Sequence, residues 1–334
     1  MANPQTSTQP QSPPVGGTDV HVEMLRTMLR ARLADERLIR LFRQGQIIGG
    51  VYSSIGQEAI GAASTAAGLP QDLYAPLIRN MAVHIGRGAS LLDVFRQWLG
   101  RVTGPTRGRD GNLHYGIFAN GVYAMISHLG AMIPVVTGGV MAKRHQGSDA
   151  IGFAYIGDGG TSTGDFHEGV NFAAVFNVPL IIIVENNKYA YSTPASGQYR
   201  CKRLIDKAPG YGIEGFSADG NDLVELHRLL HRLAVDVRAN PRPVMIECDT
   251  LRMRGHGEHD DFSYVPPELL EQYRQRDPIA GATKRFIADG IMTESAIAAL
   301  TQACHTEVDV AYHAAMKDPP PDPNTLLEGV YADA

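Results

Sequence analysis

Cysteine is scarce in this chain of 334 residues: Cys201, Cys248 and Cys304 are all there are, an odd number without CxxC spacing. That excludes a disulfide framework and a thiolate zinc site, and it suggests a reducing compartment. Positive charge is also in deficit, with 30 Lys and Arg against 35 Asp and Glu and a formal net charge of -5. A nucleic-acid partner, which would need a basic face, is not expected. No apolar run reaches the roughly 20 residues that span a bilayer. The N-terminus lacks the basic and apolar regions of a secretory signal. No membrane association is expected, and the cytoplasm is the default location. No internal repeat is found. What remains is an ordinary globular composition, 44% hydrophobic and 19% charged, in a chain long enough to bury a full core.

The stretch from Ala150 to Pro194 organises the chain. Ile151 to Ile156 is apolar and unbroken by charge, the pattern of a strand buried on both faces of a parallel sheet. The turn Gly157-Asp158-Gly159-Gly160 stops it. Phe166 to Phe176 has helical periodicity, and Val178 to Val184 reads as a second buried strand ending in Glu185-Asn186-Asn187. The expected fold class is therefore α/β, a doubly wound, mostly parallel sheet with helices on both faces. Ligands of such sheets bind at the carboxyl ends of the strands, which would bring Asp158 and Asn187 to one edge. A carboxylate, an amide oxygen and a nearby backbone carbonyl are hard oxygen ligands, suited to Mg²⁺ carrying a substrate phosphate. Gly157, Gly159 and Gly160 let the backbone approach a diphosphate closely. The stretch is not GxGxxG, because Ser162 stands at the third glycine place. It is not a phosphate loop either, because Asp165 and not Lys follows Gly164.

In chain order, residues 1 to 18 are rich in Pro, Gln, Ser and Thr and read as a disordered tail. Residues 19 to 318 read as one domain and 319 to 334 as an extended, proline-rich tail. Val20 to Phe42 is an amphipathic helix. Gly49 to Gly68 carries small residues at helical spacing, suited to close packing. It also holds Glu58, for which a hydrogen-bonded structural role is favoured over a catalytic one. Arg79 is a lone cation in an apolar stretch, which calls either for a carboxylate partner or for a bidentate phosphate ligand. Residues 101 to 115 form a basic, glycine-rich loop, and 119 to 142, without charge, should be buried. Further helices are expected over 222 to 237, 266 to 273, 279 to 288 and 293 to 316, with a strand over 243 to 248. The run Arg252 to Asp261 mixes His and acids, but its HGEH spacing matches no HExxH-type metal set. A polar loop carrying a functional His beside a diphosphate is the better reading.

Gly157-Asp158-Gly159, 26 residues and then Asn186-Asn187 resembles the thiamine diphosphate fingerprint. YAYSTPASGQYR, PGYGI, DGND and RMRGHGEHDD extend the resemblance over about residues 20 to 330, to alpha subunits of the decarboxylating component of 2-oxo acid dehydrogenase complexes. The resemblance implies a thiamine-diphosphate-binding fold, its diphosphate-binding half. It implies Mg²⁺ on Asp158, Asn187 and the Tyr189 carbonyl, diphosphate contacts from Arg79, Arg200 and His256, and an aminopyrimidine side lined by Ser127 and Leu129. His256 would be the catalytic residue, as proton donor or as orienting group. Ile78 stands where the family usually has Tyr, Gly257 where animal relatives have a regulatory phosphoserine, and Tyr52 near a substrate-contacting position. Ile126, Ala131 and Met132 replace polar residues that bind K⁺ in the branched-chain relatives.

The implied activity is oxidative decarboxylation of a 2-oxo acid, branched-chain or pyruvate, with acyl transfer to the lipoyl group of an acyltransferase partner. The glutamate that activates the cofactor's aminopyrimidine belongs, in the family, to a beta subunit, so an α₂β₂ heterotetramer is implied. An acetoin dehydrogenase alpha subunit, and a cofactor-binding scaffold without catalysis, are the alternatives. Part of the substrate pocket would lie on the beta subunit, so the sequence does not choose among pyruvate, branched-chain 2-oxo acids and acetoin.

Overall fold

In a strand covered on both faces, every side chain must find apolar neighbours, and successive residues supply opposite layers. The computed structural model, which describes residues 18–332, is built on that rule. The tail expected over residues 1 to 18 lies outside the described residues except at Thr18, which opens the first helix. Strands form at Leu73–Ala75 (β1), Gly152–Gly157 (β2), Leu180–Asn186 (β3), Tyr189–Ala190 (β4), Thr193–Pro194 (β5), Glu214–Asp219 (β6) and Pro243–Asp249 (β7). Strands β4 and β5 make a small antiparallel ribbon, and the other five form one parallel sheet in the order β1-β2-β3-β7-β6.

The helices are Thr18–Arg43 (α1), Glu58–Ala67 (α2), Met81–Gly86 (α3), Leu91–Trp98 (α4), Met132–His145 (α5), Gly164–Val175 (α6), Leu223–Ala239 (α7), Pro267–Arg274 (α8), Pro278–Ala288 (α9) and Glu294–Lys317 (α10). Side-chain caps set several of their starts. Thr163 accepts from the Phe166 N–H, Asp222 from Glu225 and Thr293 from Ala296, each such cap being worth about 1 kcal/mol.

Phe153, Tyr155, Ile181, Ile183, Val244 and Ile246 face one side of the sheet, where α1, α2, α3, α4, α7, α9 and α10 supply the matching apolar residues. Ala154, Ile156, Ile182, Val184 and Met245 face the other, against α5 and α6. Full burial of each of these branched or aromatic side chains contributes roughly 1.5–3 kcal/mol. The small residues of α2 do the work expected of them. A Cβ on Gly61 would stand 2.7 Å from that of Ala82 and 2.9 Å from the Val83 nitrogen, so α2 and α3 touch through that glycine.

Two expectations need correction. The uncharged segment 119 to 142 is not buried throughout: Ile126 and Leu129 are exposed, as are Ser127 and His128 between them. These four lie in irregular chain before α5, and among the described residues no element covers them. The proline-rich tail is not wholly extended, because Asp322 caps a 3₁₀ turn at Pro323–Thr325 by accepting from the Asn324 N–H. Proline fits the first turn of a helix, where its missing N–H has no partner to lose.

Candidate functional site

Parallel register sets the site. Gly157 pairs with Glu185 across β2 and β3, and Asn186 with Asp249 across β3 and β7, so all three strands end at one edge. A cavity of about 420 Å³ opens there. Asp158, one residue past β2, and Asn187, one past β3, both line it and are both buried. The Asp158 carboxylate accepts from Gln198 Nε2 at 2.8 Å, yet burial still pushes its pKa up. Asn187 donates from Nδ2 to Gln57 Oε1 at 3.2 Å, while its Oδ1 is buried with no hydrogen-bond partner. A buried carboxylate and an orphan amide oxygen facing one space are what a hard cation would satisfy. Tyr189 also lines the cavity, and its carbonyl accepts from Arg252 Nη1 at 3.4 Å.

Glycine is required where the wall is thinnest. A Cβ on Gly159 would sit 2.4 Å from that of Ala190, and one on Gly160 would sit 2.4 Å from Ile156 Cδ1. The opposing β4–β5 ribbon is held by non-glycine residues with left-handed backbone, Lys188 at φ 78° and Tyr191 at φ 53°. Such conformations cost roughly 1–3 kcal/mol each and persist where surrounding structure over-determines them.

The cations come from two loops. Arg79, between β1 and α3, donates to the Ser53 carbonyl at 3.4 Å and to the His256 carbonyl, and its Nη2 lies 3.2 Å from His256 Nδ1. Arg252, after β7, donates to the Tyr191 carbonyl at 2.8 Å and to Tyr264 Oη at 2.6 Å. Among the described residues neither guanidinium has a carboxylate within ion-pair distance. Burial, then the Arg252 charge, pushes the Arg79 pKa down to about 9, and burial lowers that of Arg252. Two buried cations without a carboxylate in ion-pair contact on one cavity wall are what an anion would neutralise.

His256 stands between two rings, Tyr191 at 4.5 Å and Tyr52 at 5.6 Å between centroids. Burial, then Arg79 and Arg252, lowers its pKa to about 4, so the imidazole is neutral at physiological pH. A guanidinium can only donate, so Nδ1 accepts and the ring proton is assigned to Nε2. The loop is tied to itself behind the ring: Asp260 accepts from the His256 N–H and from Tyr264 Oη, each at 2.6 Å.

Of the residues singled out in the sequence, Arg79, Leu129, Gly157, Asp158, Gly159, Gly160, Asn187, Tyr189 and His256 converge on the cavity. Arg200 and Ser127 are exposed and do not line it. Glu58 is a structural residue. It is fully buried, pairs with Arg32 at 2.5 Å and accepts from the Gly56 N–H at 3.0 Å. Arg252, Glu185, Tyr191 and Gln57 were not assigned a role from the sequence. A lone acid at the end of an otherwise apolar strand, as in VEN, was the available signal for Glu185.

The dehydrogenase E1 component family matches residues 25–324. The pyruvate dehydrogenase E1 component subunit alpha of Rickettsia felis is 30% identical over 311 residues, covering 93% of this chain and 95% of its own. The 2-oxoisovalerate dehydrogenase subunit alpha of Bacillus subtilis is 33% identical over 315 residues, with the same coverage of both chains. The mitochondrial 2-oxoisovalerate dehydrogenase subunit alpha 2 of Arabidopsis thaliana is 30% identical over 315 residues, 94% of this chain and 66% of its own.

Proposed function

The chain belongs to the dehydrogenase E1 component family, and from that premise we propose that the cavity holds thiamine diphosphate through Mg²⁺. The family is thiamine diphosphate-dependent, and the chain is an E1 alpha subunit of a pyruvate or branched-chain 2-oxo acid dehydrogenase. Its reaction is oxidative decarboxylation of a 2-oxo acid. Alpha subunits of this family work with a beta subunit and a lipoyl-bearing acyltransferase. We infer an α₂β₂ assembly in the cytoplasm. Among the described residues no helix is long and apolar enough to cross a membrane.

The observation that carries the cofactor reading is the pairing of donor sets in one cavity. Asp158 and the orphan Asn187 Oδ1 offer oxygen to a cation, and Arg79 and Arg252 offer unneutralised charge to an anion. A metal diphosphate satisfies both at once. Asp158, Asn187 and the Tyr189 carbonyl would hold Mg²⁺. Arg79, Arg252 and His256 would hold the diphosphate, with Arg200 closing from the exposed loop and Ser127 and Leu129 toward the aminopyrimidine. The bound cofactor supplies the carbanion chemistry that decarboxylation needs.

This chain's own contribution is positional and electrostatic. Burial of Asp158 makes it a ligand that gains by meeting a cation. Arg79 fixes the His256 tautomer, so the imidazole presents an Nε2–H donor at neutral pH and orients an anionic or carbonyl oxygen without carrying charge itself. The apolar side chains of Leu77, Ile78 and Met125 lower the local dielectric on that wall and strengthen the charge interactions beside it. Asp158→Ala tests the reading by calorimetric titration with thiamine diphosphate and Mg²⁺ on the assembled complex. Loss of measurable binding is expected, and unchanged affinity would overturn the metal assignment.

A further inference from the structure

One acid on the cavity wall has no part in the scheme above. Glu185, the last residue but one of β3, is 1% exposed and lines the cavity with Asn187. Among the described residues it has no ion pair. Its carboxylate instead accepts from Asn80 Nδ2 at 2.6 Å. Leaving a carboxylate buried on one neutral donor is unfavourable, so the contact calls for a reason.

Asn80 supplies it. This residue precedes α3 at the N-cap place, where an Asn side chain ordinarily accepts from the first helical N–H groups. Here it makes no cap hydrogen bond. Its Oδ1 turns back to the Leu77 N–H at 2.6 Å, and the Asn80 N–H donates to the Leu77 carbonyl at 3.1 Å. The side chain thus closes the turn 77 to 80 on one side and reaches β3 on the other. Arg79 is inside that turn. Its backbone is clamped between Leu77 and Asn80, and the clamp is anchored to the strand tip that also carries Asn187.

We propose that Glu185 is a positioning residue which, through Asn80, sets Arg79 in register with Asn187, so that the two halves of a metal diphosphate site are held at a fixed separation. The inference rests on the cofactor reading above. Glu185 touches no reacting atom. It converts the rigid end of a central strand into the reference point for a loop cation, and it sacrifices a helix cap to do so. The only other link between the two sides among these contacts runs through the 53–57 turn, where Arg79 meets the Ser53 carbonyl at 3.4 Å and Asn187 Nδ2 meets Gln57 at 3.2 Å, both longer than the 2.6 Å Asn80–Glu185 bond.

The test is a double-mutant cycle on the complex with its beta subunit, read as the dissociation constant of thiamine diphosphate at saturating Mg²⁺. Glu185→Ala and Asn80→Ala should each weaken binding about 10-fold or more, the effect of losing a hydrogen bond to a charged group. The double variant should bind no worse than the weaker single. Glu185→Gln, which keeps the acceptor and removes the charge, should bind within about threefold of wild type by the same arithmetic. Additive losses, wild-type affinity in Glu185→Ala, or a Glu185→Gln loss as large as that of Glu185→Ala would each overturn the proposal. Thermal unfolding of each variant keeps the cycle interpretable, since Glu185→Gln and Asn80→Ala leave the strand core intact. Failure of the wild-type complex to bind the cofactor would overturn the cofactor reading, and this inference with it.

Discussion

Arg79→Met should make the cofactor-free protein more stable while it cripples the site. The guanidinium is 7% exposed, has no acid partner and lies near a second buried arginine. Its fall to about 9 from the ordinary arginine range corresponds, at 1.36 kcal/mol per pKa unit, to roughly 5 kcal/mol of unfavourable charge burial in the free protein. Against this stand its hydrogen bonds to the Ser53 and His256 carbonyls and the His256 ring, at about 1 kcal/mol each. The net gain on removing the charge is about 2 kcal/mol, a rise of a few degrees in melting temperature. On the proposed cofactor reading the diphosphate would lose a charge-assisted partner, about 3 kcal/mol or roughly 100-fold in affinity. Calorimetric unfolding of the free complex and titration with thiamine diphosphate read the two effects separately. A melting temperature lowered by several degrees, or affinity within about threefold of wild type, would refute the reasoning.

Other perturbations separate structure from site. Gly159→Ala would drive a Cβ to 2.4 Å from that of Ala190, displacing the β4–β5 ribbon. Cofactor affinity should fall about 10-fold or more with little change in unfolding temperature. Glu58→Gln leaves Arg32 with one acid partner, Asp277 at 2.8 Å, and should destabilise by about 3 kcal/mol; the midpoint of urea unfolding measures this, and cofactor affinity should not change. His84 is fully buried, and burial holds its pKa at about 4. Between about 4 and 6.5 the unfolded chain binds more protons at this position, so its contribution is complete above about pH 6.5 and is lost as the pH falls toward 4. The loss amounts to roughly 3 kcal/mol, and His84→Gln should flatten that acid limb in urea titrations at about pH 4.5 and 7.5.

The sheet was legible because both central strands are continuous apolar runs with turn residues after them, and buried parallel strands leave that signature. Asp158 and Asn187 were legible for the same reason: each follows its strand directly, so register alone brings them to one edge. The positions of α1, α6, α7, α8, α9 and α10 followed from periodicity to within a few residues, since amphipathic faces and caps are local, whereas α3, α4 and α5 were not assigned. The second buried arginine was not legible. Arg200 and Arg252 both stand in polar loops with another cation two residues on (Lys202, Arg254), and which one turns inward depends on the Tyr191 and Tyr264 contacts, which no spacing encodes. Exposure at 126 to 129 was missed because absence of charge was taken to mean burial, and an apolar surface left for a partner looks the same in a single chain. Glu58 was read as structural rather than catalytic; its partner Arg32, 26 residues earlier on α1, is what periodicity alone did not name.

The most direct test of the account is turnover by the chain assembled with its beta subunit. Reduction of ferricyanide would be followed with pyruvate, 3-methyl-2-oxobutanoate and acetoin, with and without thiamine diphosphate and Mg²⁺. The account predicts turnover of one of the two 2-oxo acids well above acetoin, strictly dependent on both additions and absent in Asp158→Ala. Turnover of acetoin alone, turnover that persists without thiamine diphosphate, or cofactor binding with no turnover of either 2-oxo acid would contradict it.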